Sequence, residues 1–208
     1  MSKQIIVRDI SKDPFGSFMQ NKVKFQYISE NESRREFYDN EKHIVNHWSA
    51  GRRNQLWDGY HFNITEINDQ IFVFKTLKRK EKGQHLWGRN TGCIGNSICS
   101  MFEGDKPTDG MIDTLALLNA EQCAWYGLNP EGTILLPKKK VIEGKLVTIA
   151  GNINAPIIAD HKHFSDIEYP SQRIDIGVYM ITVKRKAIQY LKELKDGKRQ
   201  FLFKEIIK

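Results

Sequence analysis

A chain of 208 residues with 40% hydrophobic, 11% aromatic and 27% charged residues can bury one real core, which excludes wholesale disorder and leaves no room for two full-sized domains. Thirty-two Lys and Arg against 25 Asp and Glu give a net charge of +7 and an isoelectric point near 9.2, which suits an acidic partner such as nucleic acid, an anionic wall polymer or a membrane surface. No run approaches the roughly 18 to 20 apolar residues of a membrane span, and the first residues, MSKQIIVRDISKDPFG, lack a signal-peptide core, so the expectation is a span-free chain made in the cytoplasm.

In chain order, Ile5 to Val7 and Val23 to Ile28 read as short strands around a turn at Asp13-Pro14-Phe15-Gly16, followed by a polar, helix-compatible stretch from Glu30 to Asn40. His43 to Trp48 reads as a strand running into a Ser/Gly/Arg-rich loop, a place where site residues are often displayed. Tyr60 to Thr65 and Ile71 to Thr76 are rich in aromatic and β-branched residues around Asn68-Asp69-Gln70, which predicts a β-hairpin. A basic loop, Lys75 to Lys82, leads to His85-Leu86-Trp87-Gly88-Arg89-Asn90-Thr91-Gly92 and an apolar run from Cys93 to Phe102.

Pro107-Thr108-Asp109 predicts a helix start, with Thr108 or Asp109 as cap, and Gly127 predicts its end. Between them Met111, Ile112, Leu115, Leu118, Gln122 and Trp125 share one face and Ala116, Leu117, Ala120, Cys123 and Ala124 widen it, the pattern of a central helix. Gly132 to Lys140 reads as a basic loop, Val141 to Val147 as a small hairpin, and Ile157-Ile158-Ala159 as a buried strand that delivers Asp160 and His161. Val183 to Leu194 has helical apolar spacing and a basic tail follows. Cys93, Cys99 and Cys123 are odd in number and form no Cys-x-x-Cys pair, the pattern of buried free thiols rather than of a disulfide framework or a cysteine zinc site.

Six histidines are few enough to weigh singly, and their placement at predicted strand ends matters most. His47 ends one strand, His161 ends another far away in sequence, and Asp175 follows on a third segment. Two imidazoles and one carboxylate leave a tetrahedral zinc with one open position, the pattern of a hydrolytic site. Tyr60 and His61 are adjacent, so in a strand only one of them can face such a site. A phenol and a guanidinium suit nucleophile orientation and oxyanion stabilisation, which makes Tyr60 and Arg173 candidates; taken alone, they read as a sheet aromatic and a solvated charge.

The ordered set His47-Trp48-Ser49-Ala50, Gly59-Tyr60-His61-Phe62, Trp87 to Gly95, Pro107-Thr108, Asp160-His161-Lys162 and Arg173-Ile174-Asp175 resembles the zinc-dependent N-acetylmuramoyl-L-alanine amidases, whose fold is shared with peptidoglycan recognition proteins and phage amidase endolysins. The resemblance spans about residues 43 to 178. It implies an α/β (α+β) fold: a central mixed β-sheet flanked by helices, with extensions at both termini. The extents implied are an N-terminal extension over 1–40, an amidase-like catalytic domain over 41–180, and a basic C-terminal helix and tail over 181–208. It further implies Zn2+ on His47, His161 and Asp175, catalytic roles for Tyr60 and Arg173, and a substrate groove lined by His85 and Asn90. The reaction implied is hydrolysis of the amide between N-acetylmuramic acid and the L-alanine of the stem peptide.

Several departures leave alternatives open. The position of a glutamate carried by many members falls on about Ser97, so no carboxylate there can serve as general base. Arg173 stands where Lys is frequent and keeps the charge while rarely yielding a proton, which assigns it electrostatics. The fourteen-residue step from His161 to Asp175 makes His163 a rival for His161, and Asp166 or Glu168 rivals for Asp175. The implied partner is peptidoglycan or a muropeptide, with anionic wall polymer as a further contact, no obligatory nucleic acid and a monomeric state. The missing leader sequence suits a phage lysin released to the wall or carried by a virion, with a cytosolic recycling amidase as the other possibility. The rivals are a peptidoglycan-binding protein of the same fold without catalysis, and a basic nucleic-acid-binding protein or nuclease, suggested by Arg52-Arg53, Lys78-Arg79-Lys80 and Lys184-Arg185-Lys186.

Overall fold

The computed structural model describes residues 3–10, 24–26, 38, 42–49, 51–53, 55–78, 80–100, 106–164, 166–167 and 175–203. The predicted turn at Asp13 to Gly16, the helix-compatible stretch 30–40 apart from Tyr38, Glu168 and Arg173 lie outside them.

A six-stranded mixed sheet organises the molecule. Its strands are β1 (Ile5–Asp9), β3 (His43–Trp48), β5 (Phe62–Ile67), β6 (Gln70–Lys75), β7 (Cys93–Ile98) and β10 (Ile158–Ala159), in the order β1-β6-β5-β7-β3-β10. All neighbours run parallel except β5 and β6, which form the predicted hairpin. Asn68 and Asp69 turn it with positive φ values of 50° and 60°, which these two residue types tolerate and which match the strands' twist. The two N-terminal strands expected around a turn do not pair with each other. β1 borders β6, while β2 (Lys24–Gln26) pairs with β4 (Gln55–Trp57) in a separate ribbon.

One face of the sheet is covered by α1 (Asp109–Tyr126) and α2 (Met180–Lys195). The predicted cap is Thr108, whose hydroxyl accepts from the Met111 N–H at 3.3 Å, and Gly127 ends the helix in the left-handed region at φ 63°. α1 is buried on nearly every side, as its broad apolar surface predicts, because α2 packs over it while the sheet lies beneath.

Period-two alternation along β3 decides what lies where. Ile44, Asn46 and Trp48 point to the helices; Val45 and His47 point to the opposite face, where Val45 packs with Leu86, Ala159, Phe164 and Ile167. Asn46 belongs to a buried amide network: its Nδ2 donates to Asn119 Oδ1 at 3.0 Å, and its Oδ1 accepts from Asn119 Nδ2 at 3.0 Å and Asn96 Nδ2 at 3.1 Å. Asn96 and Gln122 exchange a further pair of bonds at 2.8 and 2.7 Å. Polar groups withdrawn from water are tolerated when so matched; here they lock β3 and β7 to α1.

The structure corrects the basic loop and small hairpin predicted over 132–147. They are one long antiparallel hairpin, β8 (Thr133–Ile142) and β9 (Lys145–Pro156), turning at Glu143 and Gly144 with φ values of 50° and 74°. A register shift between Pro137 and Lys139 accommodates the proline. The hairpin lies beside the open face: Arg89 bonds both the Pro137 carbonyl and Asp166, and the Lys139 N–H donates to Asp166 at 2.7 Å.

At the C-terminus Phe203 inserts between Phe62 and Trp125, with ring centroids 5.4 and 5.9 Å away. The Leu202 and Phe203 N–H groups donate to the buried Glu121 carboxylate. Burial pushes Glu121 up from its ordinary 4.5 to about 8, against the pull of those two donors. The folded chain therefore holds a proton that the unfolded chain releases, and stability falls as pH rises from about 4.5 to about 8. Replacing Glu121 by Gln should flatten that dependence, gaining roughly 2–4 kcal/mol relative to wild type at pH 8 over pH 5. Urea unfolding at both pH values measures it, and parallel profiles for the two proteins refute it.

Candidate metal centre

Sheet register brings the two histidines together. β10 runs parallel to β3 with Ile158 opposite Ile44 and Ala159 opposite Val45. Two residues further along each chain stand His47 and His161, whose ring centroids are 4.5 Å apart. Asp160 opens a short 3-10 turn over His161–His163 and accepts from the Lys162 N–H, turning the chain so that the His161 ring stays inside. Asp175 arrives from the chain before α2, and its Oδ2 accepts from the His161 backbone N–H at 2.8 Å and lies 2.7 Å from His161 Nδ1.

These three residues are all buried, and one ligand atom from each lies within 4.8 Å of the others. His47 Nδ1 and Asp175 Oδ1 have no hydrogen-bond partner, yet face one another at 3.6 Å. Leaving two such atoms dry and unsatisfied costs about 1–3 kcal/mol each. Donor atoms on a tetrahedral zinc with bonds near 2.1 Å stand roughly 3.4 Å apart, so the pair fits a shared cation. The donor set, two imidazoles and a carboxylate, also fits zinc. Burial lowers the His47 pKa, against the opposing pull of the Asp175 carboxylate beside it. Asp175 stays ionised, well below the usual carboxylate range: burial opposes the charge, but His47 and His161 outweigh it.

Tyr60 lies against this cluster, its ring 5.1 Å from that of His47 and stacked 5.9 Å from that of His85. Burial, reinforced by the Asp175 charge, raises the phenol far above its ordinary value, so Tyr60 keeps its proton. His61 points away into structural bonds, its Nδ1 accepting from the Gly95 N–H at 3.0 Å and its Nε2 donating to the Glu81 carbonyl at 2.7 Å. Of the adjacent pair, then, Tyr60 faces the site. Ser97 lies opposite His47 in the β3–β7 register and so shares its face, with no hydrogen-bond partner for its buried hydroxyl.

Of the rival ligands, the two that lie among the described residues are engaged elsewhere. His163 is exposed, with Nδ1 2.8 Å from Asp160 Oδ1, and Asp166 holds Arg89 and Lys139. His85, expected to line a substrate groove, is buried beside the cluster, 8% exposed, with Nδ1 3.1 Å from His47 Nε2. Asn90 is half-buried, and its Oδ1 accepts from the backbone N–H groups of His85 and Leu86 at 3.0 and 2.8 Å. The buried amide network and the inward position of His85 escaped sequence reasoning; the one available signal was Gln122 on an otherwise apolar helix face.

Residues 24–174 match the family model described as N-acetylmuramoyl-L-alanine amidase. In fold the chain is similar to the Ph2119 endolysin from the Thermus scotoductus MAT2119 bacteriophage Ph2119, with a TM-score of 0.53 at 13% identity over 87% of this chain and 98% of that one. The N-acetylmuramoyl-L-alanine amidase LysC from Clostridium intestinale URNW gives a TM-score of 0.48 at 16% identity over 78% and 96% of the two chains. The Staphylococcus aureus hydrolase AmiA in complex with its ligand gives 0.45 at 16% identity over 91% and 90%. Among curated proteins none matches. With a mixed sheet flanked by helices, a buried His-His-Asp cluster on its open face and the family match over most of its length, the chain belongs to the N-acetylmuramoyl-L-alanine amidase family.

Proposed function

We propose that this amidase is zinc-dependent, that His47, His161 and Asp175 hold the metal, and that it hydrolyses the bond between N-acetylmuramic acid and the L-alanine of the stem peptide. The observation that carries the metal reading is the buried, unsatisfied pair His47 Nδ1 and Asp175 Oδ1 facing each other. Zinc bound there supplies Lewis acidity, polarising the scissile carbonyl and lowering the pKa of a water toward about 7. Tyr60, held protonated beside His47, donates to the oxygen on which charge develops, and Arg173 adds a fixed positive charge. The amide C–N bond breaks, hydroxyl going to the lactyl carbon and a proton to the departing L-alanine nitrogen.

The extents 1–40, 41–180 and 181–208 belong to this reading as extension, catalytic unit and basic C-terminal segment. So does a lytic role, as a phage endolysin or virion-associated lysin made in the cytoplasm and acting on the wall as a monomer. Support for it comes from the endolysin name borne by the Ph2119 structure and from the +7 charge, which favours adsorption to anionic wall polymer. No helix among the described residues is long and apolar enough to cross a membrane.

Mass spectrometry of purified peptidoglycan tests the reaction. Digestion should release stem peptides with free L-alanine amino termini and leave intact lactyl-muramic acid; a chelator should stop it and added zinc restore it. Cleavage at another bond refutes the assigned chemistry, and full activity in chelator refutes the metal.

A further inference from the structure

Resting on that metal reading, we propose that His85 is a positioning residue that fixes the tautomer of both ligand histidines, its ring Nδ1 taking the Nε2–H of His47 and its backbone carbonyl taking the Nε2–H of His161. The contacts are 3.1 Å from His47 Nε2 to His85 Nδ1 and 3.2 Å from His161 Nε2 to the His85 carbonyl oxygen. A carbonyl only accepts, so it takes an Nε2–H from His161; Nδ1, 2.7 Å from the equally accept-only Asp175 Oδ2, is the nitrogen that would give up its proton to a bound cation. For His47 the direction follows from the other end of the ring. Were His85 the donor, the neutral His47 ring would carry its proton on Nδ1, toward the Asp175 Oδ1 that faces it at 3.6 Å, and that nitrogen could not ligate. With His47 donating instead, both histidines present Nδ1 to the same point.

The residue is itself held in one orientation. A Cβ built on Gly95 would stand 2.4 Å from His85 Cδ2 and 2.5 Å from Cγ and Nε2, and one on Gly83 would stand 2.6 Å from Cδ2. The imidazole therefore occupies a slot that a single methyl group would close from either side. Its backbone is pinned by Asn90 Oδ1, which accepts from the N–H groups of His85 and Leu86. Ring slot and pinned carbonyl together give one residue control of two ligands that reach the site from separate strands. Outer partners of this kind orient metal ligands and typically set metal affinity by 10–100-fold.

The test measures zinc affinity by chelator competition on the full-length protein, alongside NMR of the ring protons in the zinc-loaded state. His85→Leu keeps bulk and removes the acceptor; zinc should bind roughly 10–100-fold more weakly, and the His47 Nε2–H signal should be lost to exchange with water. His85→Asn puts an amide oxygen where Nδ1 stood and should recover most of the affinity, which a mere space-filling role would not produce. Equal zinc affinity and an unchanged His47 signal in His85→Leu overturn the proposal. Should that variant fail to fold, the wild type decides: a coupling across the hydrogen bond from His47 Nε2–H to His85 Nδ1 supports it and a solvent-exchanging Nε2–H overturns it. A wild-type protein that takes up no zinc overturns the metal reading itself, an outcome distinct from normal wild-type binding with an indifferent His85.

Discussion

His47→Ala should contain no zinc after purification and should lose peptidoglycan cleavage by roughly 10³-fold or more, since several kcal/mol of Lewis-acid stabilisation vanish at 1.36 kcal/mol per tenfold. The large effect follows from position. His47 is wholly buried in the ladder between β7 and β10, so no surface side chain can swing in to replace it. The loss should match that of wild type in chelator, and, unlike it, should not respond to added zinc. Elemental analysis and a dye-release assay on the same samples measure both quantities. A variant that keeps one zinc and cleaves at the wild-type rate would remove His47 from the ligand set.

Tyr60→Phe should separate binding from turnover. The ring stays stacked on His85 and beside His47, so the pocket keeps its shape and zinc content should remain at the wild-type level. Only the hydroxyl is lost, a proton donor whose ionisation burial and Asp175 suppress. Deleting one oxyanion donor typically costs about 10²–10³ in kcat, and the loss should fall on kcat rather than on KM. Wild-type turnover in a zinc-loaded Tyr60→Phe protein would show that the phenol is a packing group.

Features set by neighbouring residues were legible in the sequence. The Thr108 cap, the Gly127 stop and the Asn68-Asp69 turn act within a few positions, and each reads from its own chemistry. The Ile158–Ala159 strand delivering His161 was legible for the same reason. The β8–β9 hairpin was not, because its Lys138-Lys139-Lys140 run resembles a solvated loop; the alternation of half-buried Ile134 and Leu136 with exposed Leu135 was the weaker signal. The contacts of His85 with His47 and His161 were not legible, because those partners lie 38 and 76 residues away. Strand-end placement could suggest that His47, His161 and Asp175 converge, but only resemblance to a family assigned them together, since register between β3 and β10 cannot be derived from either strand alone.

That register has a topological consequence. β10 contributes only two ladder residues at the margin of the sheet, the weakest attachment among its strands, yet it presents His161. Roughly 110 residues separate His161 from His47, and a cation shared by the two would close a loop comprising half the polypeptide. Closure of that size removes much of the freedom of the unfolded chain, and a ligand that binds only the folded form stabilises it by mass action. Catalysis and the anchoring of the last strand would then depend on the same ion.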